Sequence, residues 1–462
     1  MHDIQRRYEK VLAQTTAIHQ AHVLKFWSQL GQAEKIHLLE QLEALDFGRI
    51  DHLAKEHVLQ EKDVLFVLPE KIEPAPCYPA EPRTDKQKRL YTRAWKVGEK
   101  ALREGKVCAF TVAGGMGTRL GFDGPKGCFQ ISPVQQKTLF QLFAETIAHC
   151  KRRYNPQIRW FIMTSQGNHR ATVDFFKRNA FFGLPEEHLV FFQQGMMPAF
   201  SPDGKLLLDQ KHSLSLSPDG HGGSLRALRQ SGALDEMKRL GIEHISYFQV
   251  DNPLVRLLDP HFIGLHLLSK SDMSSKSIPK SHDKEKVGVF VLGDATLTVI
   301  EYSDLPDELA TRKNTEGSRM FDAGSIAIHI ISRDFAERIT DGDLQLPYHR
   351  AVKKVPFVDE SGRRIEPEKP NGVKLEQFVF DAIPLATNPI VVETVRDEEF
   401  SPVKNESGPD SPDTCRRDLI QRAIRWLERA DVYVGNDNTS GSLPPVEISP
   451  LRAIFPEDLT LQ

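Results

Sequence analysis

The chain has 462 residues, 40% of them hydrophobic and 27% charged, a globular balance with room for a large core and two or three domains. Its net charge of −3 excludes a nucleic-acid coat or a membrane-surface protein, so any anion must be held by a local site. Five scattered cysteines (Cys77, Cys108, Cys128, Cys150, Cys415) form no C-x-x-C pair, which suits a reducing cytoplasm and argues against a zinc cluster.

The first residues carry no apolar signal segment, and no run of about 18 apolar residues occurs, so a soluble cytoplasmic protein is expected. Residues 1–68 read as helical: Leu38, Leu39, Leu42 and Leu45 recur at helical spacing, and no proline precedes Pro69. Pro69, Pro74, Pro76, Pro79 and Pro82 make 69–85 an extended connector. Residues 1–85 are therefore expected to be an N-terminal helical arm with its connector. From about 95 to 395 apolar runs alternate with helical patterns, the pattern of an α/β core with a mostly parallel sheet. The expected strands are Val107–Val112, Ile158–Met163, Leu189–Phe192, Ile245–Val250 and Val287–Leu292. Thr138 with Gln141 forms a capping box, and Leu139, Phe143 and Ile147 then share one helix face. Past 396 a helix is expected over Asp418–Ala430, after a polar, proline-containing loop at Ser407–Asp413, giving a core over 86–395 and a small C-terminal domain over 396–462.

The stretch Ala113 to Gly127, Ala-Gly-Gly-Met-Gly-Thr-Arg-Leu-Gly-Phe-Asp-Gly-Pro-Lys-Gly, follows the apolar run at Val107–Val112. Gly114, Gly115 and Gly117 let a backbone approach an anion closely and aim its N–H groups at it. Arg119 and Lys126 add two fixed positive charges, which together suit a polyphosphate. The spacing fits neither the P-loop nor the dinucleotide fingerprint, and so disfavours an NAD-linked oxidoreductase.

Asp251, in Val250-Asp251-Asn252-Pro253, closes a strand; it reads either as a magnesium ligand beside phosphates or as an Asx turn. Pro218-Asp219-Gly220-His221-Gly222-Gly223 is a second glycine cluster, able to lie against a base or sugar or simply to open a helix. Gln193-Gln194 offers an amide donor and acceptor of the kind that matches uracil, or a polar strand end. Neither His221 nor His329 is given an acid–base role.

The pattern G-G-x-G-T-R-L followed by Pro-Lys resembles the nucleotide loop of sugar-1-phosphate nucleotidylyltransferases. The likeness extends through Phe191-Phe192-Gln193-Gln194-Gly195-Met196, Pro218-Asp219-Gly220, Val250-Asp251-Asn252, Val299-Ile300-Glu301-Tyr302-Ser303, Phe378-Val379-Phe380-Asp381 and Glu399-Phe400-Ser401-Pro402-Val403-Lys404-Asn405. From about residue 85 to 405 the chain resembles the eukaryotic-type UDP-N-acetylhexosamine pyrophosphorylases. That resemblance implies a Rossmann-like nucleotidyltransferase core with a mixed, mostly parallel sheet. It implies a uridylyltransferase that joins UTP to a sugar 1-phosphate (GlcNAc 1-phosphate, with glucose 1-phosphate the rival) with Mg2+, or Mn2+ in its place, and with no nucleic acid or membrane partner. It gives Gly114, Gly115, Lys126, Gln194 and Gly220 to UTP, Asp251 to the metal, and catalytic roles to Arg119, Lys126 and Lys404. His221, Glu301, Tyr302, Ser325 and Lys374 fall to the sugar. Two departures concern the sugar side: His221 and Ser325 stand where the family usually has asparagine. A UDP-glucose or broad UDP-sugar pyrophosphorylase is therefore kept as an alternative, and a non-catalytic nucleotide-sugar sensor as a rival from another class.

Overall fold

The computed structural model describes residues 2–60, 68–342, 346–434 and 444–460. The chain divides into two compact units, one of Met1–Val67, Gly195–Gly223 and Leu346–Phe378, the other of Leu68–Gln194, Ser224–Gln345 and Val379–Gln462.

The larger unit is built on a mixed sheet. Its main path uses β1 (Cys77–Tyr78), β2 (Val107–Val112), β3 (Trp160–Thr164), β4 (Leu189–Gln193), β5 (His244–Gln249), β6 (Met273–Pro279), β7 (Ala323–Ser332) and β8 (Ile390–Glu393). Their spatial order is β1-β8-β6-β7-β5-β2-β3-β4. Only β7 runs antiparallel to its neighbours β5 and β6; the other pairings are parallel. β2 and β3 are apolar almost throughout because helices cover both faces of a parallel sheet. Strands Val289–Gly293 and Thr296–Ile300 form a hairpin attached to β7, and Ile72–Pro74 pairs with its outer edge. The proline-rich connector thus supplies two short strands, both at sheet edges where a missing N–H is tolerated.

Helix Leu139–Arg153 starts at Thr138, whose hydroxyl accepts from the Gln141 N–H. Only half of the expected capping box forms, because the Gln141 amide turns forward to Glu145. The C-terminal helix runs Pro412–Arg429, beginning six residues before the expected start. Ser411 caps it and Pro412 takes the first turn, where a missing N–H costs nothing.

The smaller unit packs the N-terminal helices His2–Ala17, Gln32–Glu43 and Phe47–Leu53 onto two excursions from the middle of the chain. Leu38, Leu39 and Leu42 share a buried cluster with Phe200, Leu206, Val373 and Leu375. Among the described residues no helix is long and apolar enough to cross a membrane.

Candidate active site

β2 delivers the chain to the carboxyl edge of the sheet, where ligands of such folds bind. There the loop folds on itself: Gly117 N–H donates to Gly124 O (2.8 Å) and Lys126 N–H to Gly115 O (3.0 Å). Asn168, which the sequence did not single out, fastens its root. The buried Asn168 amide donates to Ala113 O (2.9 Å) and accepts from Ser165 N–H (2.9 Å). A Ser-x-x-Asn turn after β3 was the available signal.

Gly114 lies directly beneath Gln194. A Cβ on Gly114 would overlap Gln194 Oε1 and come within 3.4 Å of Ser165 N. The Gln194 backbone is held by Thr164 O (2.8 Å) and its side chain is buried. The amide is therefore packed against Gly114 at the mouth of the loop. Arg119 is exposed, and no hydrogen bond or ion pair engages it among the described residues.

Lys126 Nζ stands 3.7 Å from Asp251 Oδ2, each side chain 15% exposed. Asp251 sits just past β5, whose ladder with β2 continues to a Val250 N–H to Val112 O bond. Asp251 O in turn accepts from Val403 N–H (2.8 Å), while Asn252 bonds Glu399 O (2.7 Å) and Ser401 N–H (3.1 Å). The segment 399–404 is thereby laced along 251–252, and Lys404 emerges beside Asp251. Across the loop, the Glu406 carboxylate comes within 3.1 Å of where a Cβ on Gly121 would lie.

Glu301 and Ser325 meet at Gly288. Ser325 N–H donates to Gly288 O (2.7 Å), and Glu301 Oε1 is 3.4 Å from a Cβ position on Gly288. Tyr302 is 49% exposed.

The smaller unit carries Gly220, His221 and Lys374. Gly220 adopts φ +85°, a conformation natural to glycine, and a side chain there would strike Gln377. Gly222 N–H and Gln377 O close the turn (2.7 Å). His221 and His349 both stack on Phe378, with ring centroids 5.1 Å and 4.2 Å away. Burial, reinforced by His349, pushes the His221 pKa down to about 4, so its ring is neutral at pH 7. Lys374 lies on strand Gly372–Glu376 opposite Ala351.

Among the described residues no group of three or more His, Cys, Asp or Glu side chains could hold a metal ion. The chemistry of Asp251 nevertheless fits Mg2+, which takes one or two carboxylates and completes its shell with water and substrate phosphates. Lys126, the cation paired with it, is beyond hydrogen-bond distance, and among the described residues no hydrogen bond engages the carboxylate, so its oxygens retain open acceptor sites.

A family model described as UTP–glucose-1-phosphate uridylyltransferase matches residues 53–443. The chain belongs to this family. Among its relatives is the human UDP-N-acetylhexosamine pyrophosphorylase-like protein 1, 36% identical over 95% of this chain and 92% of that one. Arabidopsis thaliana UDP-N-acetylglucosamine diphosphorylase 2 is 35% identical over 95% of this chain and 88% of its own. The crystal structure of Trypanosoma brucei UDP-N-acetylglucosamine pyrophosphorylase with an inhibitor matches at TM-score 0.82 and 27% identity, covering 98% and 94% of the two chains. Leishmania major UDP-glucose pyrophosphorylase shares the fold at 18% identity and TM-score 0.63. Members of the family generally use a divalent metal.

Proposed function

We propose that this protein transfers the uridylyl group of UTP to a sugar 1-phosphate, N-acetylhexosamine 1-phosphate above all, releasing pyrophosphate. The single observation that carries this reading is the glycine loop closed back so that Lys126 faces Asp251 across adjacent strand ends. Such a site gathers cations and one hard-oxygen ligand around a polyphosphate without any nucleophile or general base. None is needed, because the attacking sugar phosphate is already an anion at neutral pH.

A phosphate oxygen of the sugar attacks the α-phosphorus of UTP in line; the new P–O bond forms as the bond to the β-phosphate oxygen breaks. The barrier lies in bringing two anions together, so positioning and charge neutralisation dominate. Arg119 and Lys126 hold the leaving pyrophosphate, and Lys404 faces the attacking phosphate. Gln194, seated on Gly114, reads the uracil edge, with Gly115 and Gly220 offering backbone. Mg2+ on Asp251, when bound, neutralises phosphate oxygens and polarises the α-phosphoryl group. Glu301, Tyr302, Ser325, His221 and Lys374 are assigned to the sugar.

A second reading, glucose 1-phosphate as a principal substrate, is favoured by Ser325 and by the neutral, stacked His221 in place of two asparagines. The test is pyrophosphate release from UTP and Mg2+ with GlcNAc, GalNAc, glucose and galactose 1-phosphates compared. A sensor would release none with any of them.

A further inference from the structure

Lys404 is held by a residue that the functional reading does not use. The chain makes a tight excursion between Lys404 and the capped helix at Ser411, closed by three bonds. Lys404 N–H and Asn405 N–H both donate to Asp410 O (2.7 and 3.0 Å), and the Asn405 amide donates to Pro409 O (2.8 Å). Asp410 takes φ +55°, a left-handed conformation that costs an ordinary residue energy and that Asp and Asn bear best. This backbone sets the Asp410 carboxylate 4.0 Å from Lys404 Nζ, both side chains partly exposed. Burial raises the Asp410 pKa, and Glu285 and Asp251 add to that while Lys404 and Arg396 oppose it. The carboxylate thus sits in the field of the metal-site aspartate as well as of Lys404.

We infer that Asp410 is a positioning residue for the transfer reaction: its carboxylate pre-aims the Lys404 ammonium and yields it to the incoming sugar phosphate. The inference rests on the reading of Lys404 as the residue facing that phosphate. At 4.0 Å the pair is not hydrogen-bonded, and a partly exposed pair of this kind biases an equilibrium by only a few-fold. A dianionic phosphate therefore takes Lys404 easily, whereas a buried, bidentate partner would compete with it. Without Asp410, a flexible lysine that lies 5.9 Å from the Phe400 ring centroid is otherwise left to solvent. Its ordering would then fall on the transition state.

The test compares Asp410→Gly, Asp410→Asn, Asp410→Glu and Lys404→Ala in the full chain, with steady-state kinetics and thermal melting. Glycine and asparagine both accept the left-handed backbone, so neither should disturb the loop, and Tm should stay at the wild-type value. Both are expected to lower kcat about threefold, the size of the bias such a pair supplies, while the KM for UTP is unchanged and the KM for sugar 1-phosphate does not rise. In Lys404→Ala the further loss from Asp410→Asn should vanish, and Asp410→Glu should recover part of kcat. Wild-type kcat in Asp410→Gly and Asp410→Asn, with Lys404→Ala impaired, overturns the role of Asp410 alone. Lys404→Ala at wild-type rates overturns the reading of Lys404 beneath it. A fall in Tm with kcat and both KM values disturbed together would make Asp410 a structural loop residue and also overturn the inference.

Discussion

Lys126 Nζ lies 3.7 Å from Asp251 Oδ2, too far for a hydrogen bond and too close for either charge to ignore the other. The lysine comes from the end of the glycine loop and the aspartate from the end of the neighbouring parallel strand. Their spacing compensates both charges while leaving each a face for a phosphate or a metal.

Replacing Lys126 by alanine should lower kcat by two orders of magnitude or more, the cost of one preorganised charge at about 3 kcal/mol. The side chain is not part of the core, so thermal melting should stay near wild type. Pyrophosphate release and a melting curve on the same preparation check both halves.

Asp251→Asn should abolish metal-dependent turnover, because the carboxylate charge that attracts a hard cation is lost. Mn2+ binding followed by electron paramagnetic resonance, in the presence of UTP, should weaken at least tenfold. Unchanged Mn2+ affinity would make Asp251 a strand-end turn residue.

UTP should be strongly preferred to ATP and CTP. A wrong base leaves the buried Gln194 amide unpaired, a penalty of about 1–3 kcal/mol for each such group. Gln194→Ala should lose most of the preference, and Gly114→Ala, whose Cβ would collide with the same amide, should raise the KM for UTP. Equal rates of wild type with UTP and ATP would remove Gln194 from base recognition.

Sugar choice should respond to Ser325. An N-acetyl group needs a donor for its carbonyl, and serine is shorter than asparagine, so glucose 1-phosphate should be a measurable substrate. Ser325→Asn should shift kcat/KM toward the N-acetylated sugar. A ratio left unmoved would show that selectivity lies elsewhere.

The pair His244 and His266 predicts a specific acid instability. Their rings contact at 3.2 Å, and His266 also bonds Ser274 (2.8 Å). Burial lowers their pKa values to about 4 and about 3, with His244 adding to the shift of His266. A histidine with a depressed folded-state pKa binds more protons when unfolded, so stability rises with pH across that window. The contribution is complete above about pH 6.5 and falls by about 2 kcal/mol per histidine on going to pH 5. Urea unfolding at pH 7 and pH 5 should show this loss, and His266→Gln should make it smaller.

How far the sequence reached follows from how local each signal is. The apolar runs became β2, β3, β4 and β5 within one or two residues, because a strand buried on both faces must be apolar along its length. Gly114, Lys126 and Asp251 could be singled out as candidates because phosphate chemistry leaves few residue types to choose from, and the fold brings Lys126 to 3.7 Å from Asp251. Asn168 and Asp410 were not, since the Asn168 amide bonds and the left-handed turn at Asp410 exist only once their loops are folded. The helix at Pro412 was shortened in the reading because Ser411 and Pro412 look like loop residues until they are seen as a cap and a first turn. Nothing local announced that Leu38 and Val373 belong to one buried cluster, which topology alone sets.

The most direct measurement is 31P NMR of purified protein with UTP, Mg2+ and GlcNAc 1-phosphate. Uridylyl transfer predicts equal rates of pyrophosphate and UDP-sugar appearance, with neither formed when the sugar phosphate is omitted and both reduced at least a hundredfold in Lys126→Ala. Pyrophosphate without UDP-sugar, or no turnover with any of the four sugar 1-phosphates, would contradict it.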